Sequence, residues 1–167
     1  MGDRAPGAAM TADVVLLTIT RVEARHLADL VAQFADLLRA TPDAQDDPAV
    51  ARLVPDAYPE DASAAREFRD ATEADLLDRR REDAHRVVAA LATAVGAGND
   101  HDVVDLPLSM ADARAWMRAL AALRLVLASR LGIRSEDDHD PDDPRFGVYD
   151  WIGYRLDGLV RAVAGDP

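Results

Sequence analysis

Apolar and polar positions along the chain alternate between two kinds of run: short β-branched segments, and longer stripes spaced three and four residues apart. Val14-Val15-Leu16-Leu17-Thr18-Ile19 is β-branched and bounded, which predicts a short strand. Thr20, with Glu23 three residues later, has capping-box spacing, and Leu27, Leu30, Val31, Phe34, Leu37 and Leu38 then fall on one helical stripe. Thr41-Pro42 ends that helix. Asp47-Pro48 opens a short helix running to Val54, with aspartate as N-cap and proline at the first helical position. Pro55 and Pro59 bracket an exposed turn that carries Tyr58.

A long helical stretch follows over residues 63–95. Thr72 and Asp75 resemble a second cap inside it, so a kink or break is expected near Ala71. Leu76, Val87, Leu91 and Val95 mark its buried side, and residues 79–83 read as a solvated middle. Val103-Val104-Asp105-Leu106-Pro107-Leu108 predicts a second short strand paired with the first, Pro107 marking an edge or a strand end. Ser109 and Asp112 cap the next helix, whose stripe is Ala113, Trp116, Met117, Leu120, Leu123, Leu127 and Leu131, and Gly132 sits at the C-cap. Residues 135–144 form an acidic loop. Tyr149, Ile152, Leu156, Leu159, Val160 and Val163 mark a last helix. The fold class expected is mainly α: a helical bundle of about five helices with a minor two-stranded β element. One domain is expected over residues 12–164, behind a Gly/Ala/Pro-rich disordered leader at 1–11.

Composition narrows the function. The net charge is −12, from 31 acidic and 19 basic residues, and every basic residue is arginine. Most of such a surface repels a phosphate backbone, so unaided DNA binding is disfavoured unless the arginines are segregated. Cysteine is absent, which removes disulfides, thiolate metal sites and thiol nucleophiles. The first residues lack the apolar core of a signal peptide, and the first strand is too short to span a bilayer, so the expected location is the cytoplasm.

Two Glu-x-x-His pairs, Glu23/His26 and Glu82/His85, have the spacing used by di-iron bundles. That site also needs inward carboxylates from two further helices. The later helices offer only Asp112 at a cap, and Asp150 and Asp157, so surface histidines are the better reading and no metal is expected. The acidic run from Glu136 to Asp143 fails as an EF-hand, because Asp143 falls at the obligatory glycine and Tyr149 at the bidentate glutamate. No phosphate cradle, nucleophile motif or zincin motif occurs; the expectation is a non-enzyme without cofactors.

One segment runs against the overall charge. Between Ala113 and Arg134 the charged residues are Arg114, Arg118, Arg124, Arg130 and Arg134, with no acid. Pairing within the protein is the simpler account. Arg124, flanked by Leu123 and Leu125, is expected to be partly buried in a structural ion pair with Asp150. Arg114 and Arg118, one turn apart, are better placed to meet a partner. Tyr149-Asp150-Trp151 opens the last helix, and Tyr149 and Trp151 read either as hinge packing or as aromatic anchors for a partner.

The order and spacing of several runs resemble the actinobacterial AosR family. They are Asp47-Pro48 to Leu53, Pro55-Asp56-Ala57-Tyr58, Glu67-Phe68-Arg69, Thr72-Glu73 and Asp75-Leu76 in the first half. Ala115-Trp116, Ala119-Leu120, Leu123-Arg124-Leu125, Arg130-Leu131-Gly132, Tyr149-Asp150-Trp151 and Leu159-Val160-Arg161-Ala162 complete the pattern, which spans residues 14–163. That family, long catalogued as a domain of unknown function, is named for oxidative-stress transcriptional regulation. The resemblance implies a non-catalytic regulator, and the acidic surface makes a protein partner from the transcription machinery, RNA polymerase or a transcription factor, the expected route of action. Without cysteine, this chain is not itself a thiol sensor. Direct DNA binding through helix 113–134 and a metal- or small-ligand-binding bundle are the alternatives; the apolar stripes also allow a homodimer. The two helices between Ala51 and Arg69 make a poor helix-turn-helix, since the acids Glu60 and Asp61 follow their connector.

Overall fold

The structure, a computed structural model, describes residues 14–54 and 57–165. The expected leader at 1–11 and Pro55 lie outside the described residues. Strand β1 (Val14–Thr20) leads into α1 (Arg21–Ala40), a single-turn α2 (Pro48–Ala51) and the long α3 (Ala62–Ala94). Strand β2 (Val103–Ser109), α4 (Met110–Leu131) and α5 (Gly147–Ala164) follow. The fold is mainly α with a minor two-stranded element, as the periodicity predicts.

Local caps set most boundaries. Thr20 and Glu23 form the capping box, each side chain serving the other's backbone amide. Asp47 accepts from the amides of Ala49 and Val50, Ser109 accepts from Asp112, and Gly132 ends α4 at a left-handed φ of 75°. That conformation favours glycine.

The strands pair antiparallel with Val14 opposite Ser109 and Thr20 opposite Val103. The Thr20 amide turns to Glu23 and the Thr18 carbonyl accepts from Arg155, so residues 14, 16, 18 and 20 point their backbone groups away from β2. Pro107 faces Leu16 in this non-hydrogen-bonded set, and its missing N–H therefore breaks no ladder bond. Val15, Ile19, Leu106 and Leu108 face inward. The core they cover joins Leu27, Val31 and Phe34 of α1 to Val87 and Leu91 of α3, Trp116 and Leu120 of α4, and Ile152 and Leu159 of α5. Helix α4 lies between α3 and α5. A satellite cluster of Ala128, Ile133 and Phe146, with Tyr149 against it, pins the acidic loop.

Four sequence expectations are corrected. Helix α3 runs unbroken through Ala71: Thr72 turns its hydroxyl back to the Phe68 carbonyl instead of capping a new helix. The supposedly solvated 79–83 contains Asp83, only 8% exposed, because its partner arrives from α4. Helix α2 stops at Ala51 rather than Val54, with Leu53 tucked into the core from a turn. Val160 is exposed, since the buried stripe of α5 passes through Ile152 and Leu159 instead. Among the described residues no helix is long and apolar enough to cross a membrane.

Candidate partner-docking groove

The arginines of α4 separate into two sets according to the face they occupy. On the α3 side, the Arg118 Nε and Nη2 groups donate to the two Asp83 carboxylate oxygens, 2.7 Å each. This fork-to-fork pair raises the Arg118 pKa through the Asp83 hydrogen bonds and ties α4 to α3. Arg118 is thus a helix-to-helix strut as well as an exposed side chain. Arg114 stands exposed one turn away. Near the C-terminal end, Arg130 pairs with Asp47, the N-cap of α2.

On the α5 side, Arg124 takes a different partner from the one expected. Its guanidinium lies 4.2 Å from the centroid of the Tyr149 ring. Asp150 instead bonds His139 at 2.7 Å, so the expected Arg124–Asp150 ion pair is not formed. The reason is rotational: α5 turns Tyr149 toward α4 and Asp150 toward the loop, where His139 packs 5.0 Å from Phe146 and 5.7 Å from Tyr149. Gly153, one turn beyond Tyr149, completes the arrangement. A Cβ there would stand 3.0 Å from Arg124 Nε, so the missing side chain is the space that the guanidinium fills. The Arg124 Nε itself is buried, without an acceptor among the described residues.

The stacked pair forms one wall of an open groove of about 450 Å³ between α4 and α5. Arg52 from the end of α2 and Arg134 from the following loop add two more guanidinium groups, and Leu125, Leu156 and Ile133 supply apolar surface. Among the described residues no carboxylate lines it. Arg52 donates to the Ile133 carbonyl at 3.3 Å, which holds it at the rim. Asp138 of the loop is committed to the amides of Arg134 and Ser135, contacts that pull its pKa down. Leu125 is 39% exposed on the same α4 stripe as Arg114 and Arg118.

The family model for a domain of unknown function (DUF2017) matches residues 5–163. The chain belongs to that family. Comparison with curated proteins and with solved structures finds no match. The matched span contains every residue of the groove.

Trp151, for which hinge packing and an anchor role were both open, is half-buried and donates its indole N–H to Glu23 at 3.3 Å. Glu23 also takes Arg155, joining the start of α1 to α5. The exposed aromatic of α5 is Tyr154, 72% exposed and missed by the stripe reading. His26 and His85 are exposed, and among the described residues no group of three His, Cys, Asp or Glu is placed to hold a metal ion. Sequence reasoning also missed Arg52 and Gly153. A glycine inside a helix costs roughly 1 kcal/mol relative to alanine, which is a signal for close approach. The signal is ambiguous here because Gly158, on the same helix, has nothing among the described residues within 4 Å of its place for a Cβ.

Proposed function

We propose that the chain is a non-enzymatic regulatory protein that acts by docking a protein partner in the α4–α5 groove. The observation that carries this reading is the groove's charge: Arg52, Arg124 and Arg134 meet around apolar surface with no lining acid among the described residues, in a protein whose net charge is −12. Cations concentrated against the overall field, beside exposed apolar area, suit a macromolecular surface of opposite sign. The resemblance to oxidative-stress transcriptional regulators supports a partner from the transcription machinery, either RNA polymerase or a transcription factor, and the proposal includes a cytoplasmic location. Arg114 lies on the same exposed stripe and extends the surface; Arg118 belongs to the fold first.

The test is capture from a nuclease-treated actinobacterial lysate by the wild-type chain and by the Arg52→Glu/Arg134→Glu variant, with and without peroxide. Recovery of RNA polymerase subunits or a transcription factor by the wild type alone is expected. Equal recovery by the variant removes the groove from the assignment, and loss of capture on nuclease treatment points to nucleic acid instead.

A further inference from the structure

The groove does not end at Arg134. Its Arg52, Ile133 and Arg134 also line an adjoining hollow of about 510 Å³ that continues past Pro48, Ser129 and Gly132. The two hollows form a track along the outside of α4, open along its length, with guanidinium groups at its shared waist and the Arg124–Tyr149 stack at one end. Such a shape suits a length of chain better than a compact small molecule.

We infer that the track takes an acidic peptide segment carrying at least one large apolar side chain. The inference rests on the docking reading above and specifies the chemistry of its partner. Carboxylates of the segment meet Arg52 and Arg134 at the rim, where planar guanidinium groups favour paired oxygens. An apolar anchor, leucine or aromatic, lies over Leu125 and Leu156 beside the stacked Arg124. Arg124 is already oriented by Tyr149 and by the room left at Gly153, so binding does not have to order it. Nucleic acid is the poorer occupant. The loop bordering Arg134 carries Glu136, Asp137, Asp140 and Asp142, and a phosphate backbone leaving the track meets that charge, whereas a short acidic segment ends before it.

The experiment is selection of a random dodecapeptide phage library on the intact wild-type chain, with counter-selection on Arg52→Glu/Arg134→Glu. Folding of the variant is checked by its thermal midpoint. Selected peptides, a version with Asp and Glu changed to Asn and Gln, a version with the apolar residues changed to Ser, and a single-stranded oligonucleotide are then measured by fluorescence polarisation at two salt concentrations. Expected is enrichment of Asp and Glu together with Leu, Phe or Trp. Affinity should fall on the order of tenfold or more with the charge-reversed variant, with either altered peptide, and with added salt. Enrichment of basic or purely apolar peptides, peptides indifferent to the double variant, or an oligonucleotide that binds in their place would overturn the inference. The two proposals fail separately. If the double variant loses the lysate partner but no acidic peptide is selected, the docking reading stands and the chemistry is wrong. If acidic peptides bind the track but lysate capture is unchanged, the chemistry stands and the functional assignment is wrong.

Discussion

Arg118 closes both ends of its guanidinium fork on the Asp83 carboxylate, which is buried between α3 and α4. The pair makes the two neighbouring arginines of α4 unequal. Arg118→Glu sets a second carboxylate against Asp83 and should lower unfolding stability by about 1–2 kcal/mol, a figure kept modest because the guanidinium is more than half exposed. Arg114→Glu should stay within about 0.5 kcal/mol of wild type. Urea unfolding of the two variants side by side checks this, and equal losses would remove the strut role.

Glu23 links acid sensitivity to the joint between α1 and α5. Burial pulls its pKa up, but the Thr20 amide, Arg155 and the Thr20 hydroxyl outweigh that and hold it at about 2. A carboxylate depressed in the folded state contributes stability that is fully present above its unfolded pKa and lost as pH falls toward the folded value. The window therefore runs from about pH 4.5 down to about 2. Glu23→Gln should be less stable than wild type by on the order of 2 kcal/mol at pH 6, and the gap should narrow as pH falls below about 4.5 and close only below about pH 2. A gap that is constant with pH would assign the loss to packing.

Gly153 separates stability from docking. Alanine there gains roughly 1 kcal/mol of helix propensity but places a methyl group against the Arg124 guanidinium. Gly153→Ala should change the thermal midpoint little while moving Arg124 off Tyr149. In NMR spectra the ring-current shift of the Arg124 side-chain protons should disappear, and selected peptides should bind more weakly. Retention of the shift would show that α5 yields instead.

Trp116 is fully buried, and among the described residues its indole N–H has no acceptor. Trp116→Phe removes that donor and keeps most of the ring, so its cost should stay below about 1 kcal/mol, against about 3–5 kcal/mol for Trp116→Ala. The same substitution should remove the blue-shifted part of the emission and leave the half-buried Trp151. Similar losses for both variants would mean that the N–H has a partner, a bound water for example.

The features legible in the sequence are those decided within a few residues. Thr20/Glu23, Asp47-Pro48, Ser109/Asp112 and Gly132 announce helix ends through side chains that reach their own backbone, and the structure uses each of them. Thr72 carries the same local signal and misleads, because a hydroxyl within a continuing helix finds the carbonyl four residues back. Long-range partners leave no such mark. Nothing near Asp83 announces Arg118, and nothing near Arg124 says whether Tyr149 or Asp150 will face it; the rotation of α5 decides. The basic helix was visible as a composition anomaly, but its division into a strut toward α3 and a groove toward α5 depends on which face each neighbour covers. Arg52 joins the groove from an element that sequence reading treats as separate.

The pairing of β1 with β2 has a consequence for the order in which the molecule is made. Val14 waits for Ser109 and Thr20 for Val103, so all of α1, α2 and α3 must be synthesised before the ribbon can close. At ribosomal speeds of roughly 5–20 residues per second that interval is on the order of ten seconds. Throughout it a nascent chain presents an unpaired apolar strand, while the helices between already have local contacts to form. Arg155 of α5 also donates to the Thr18 carbonyl, so β1 gains a second tether from a helix synthesised well after it.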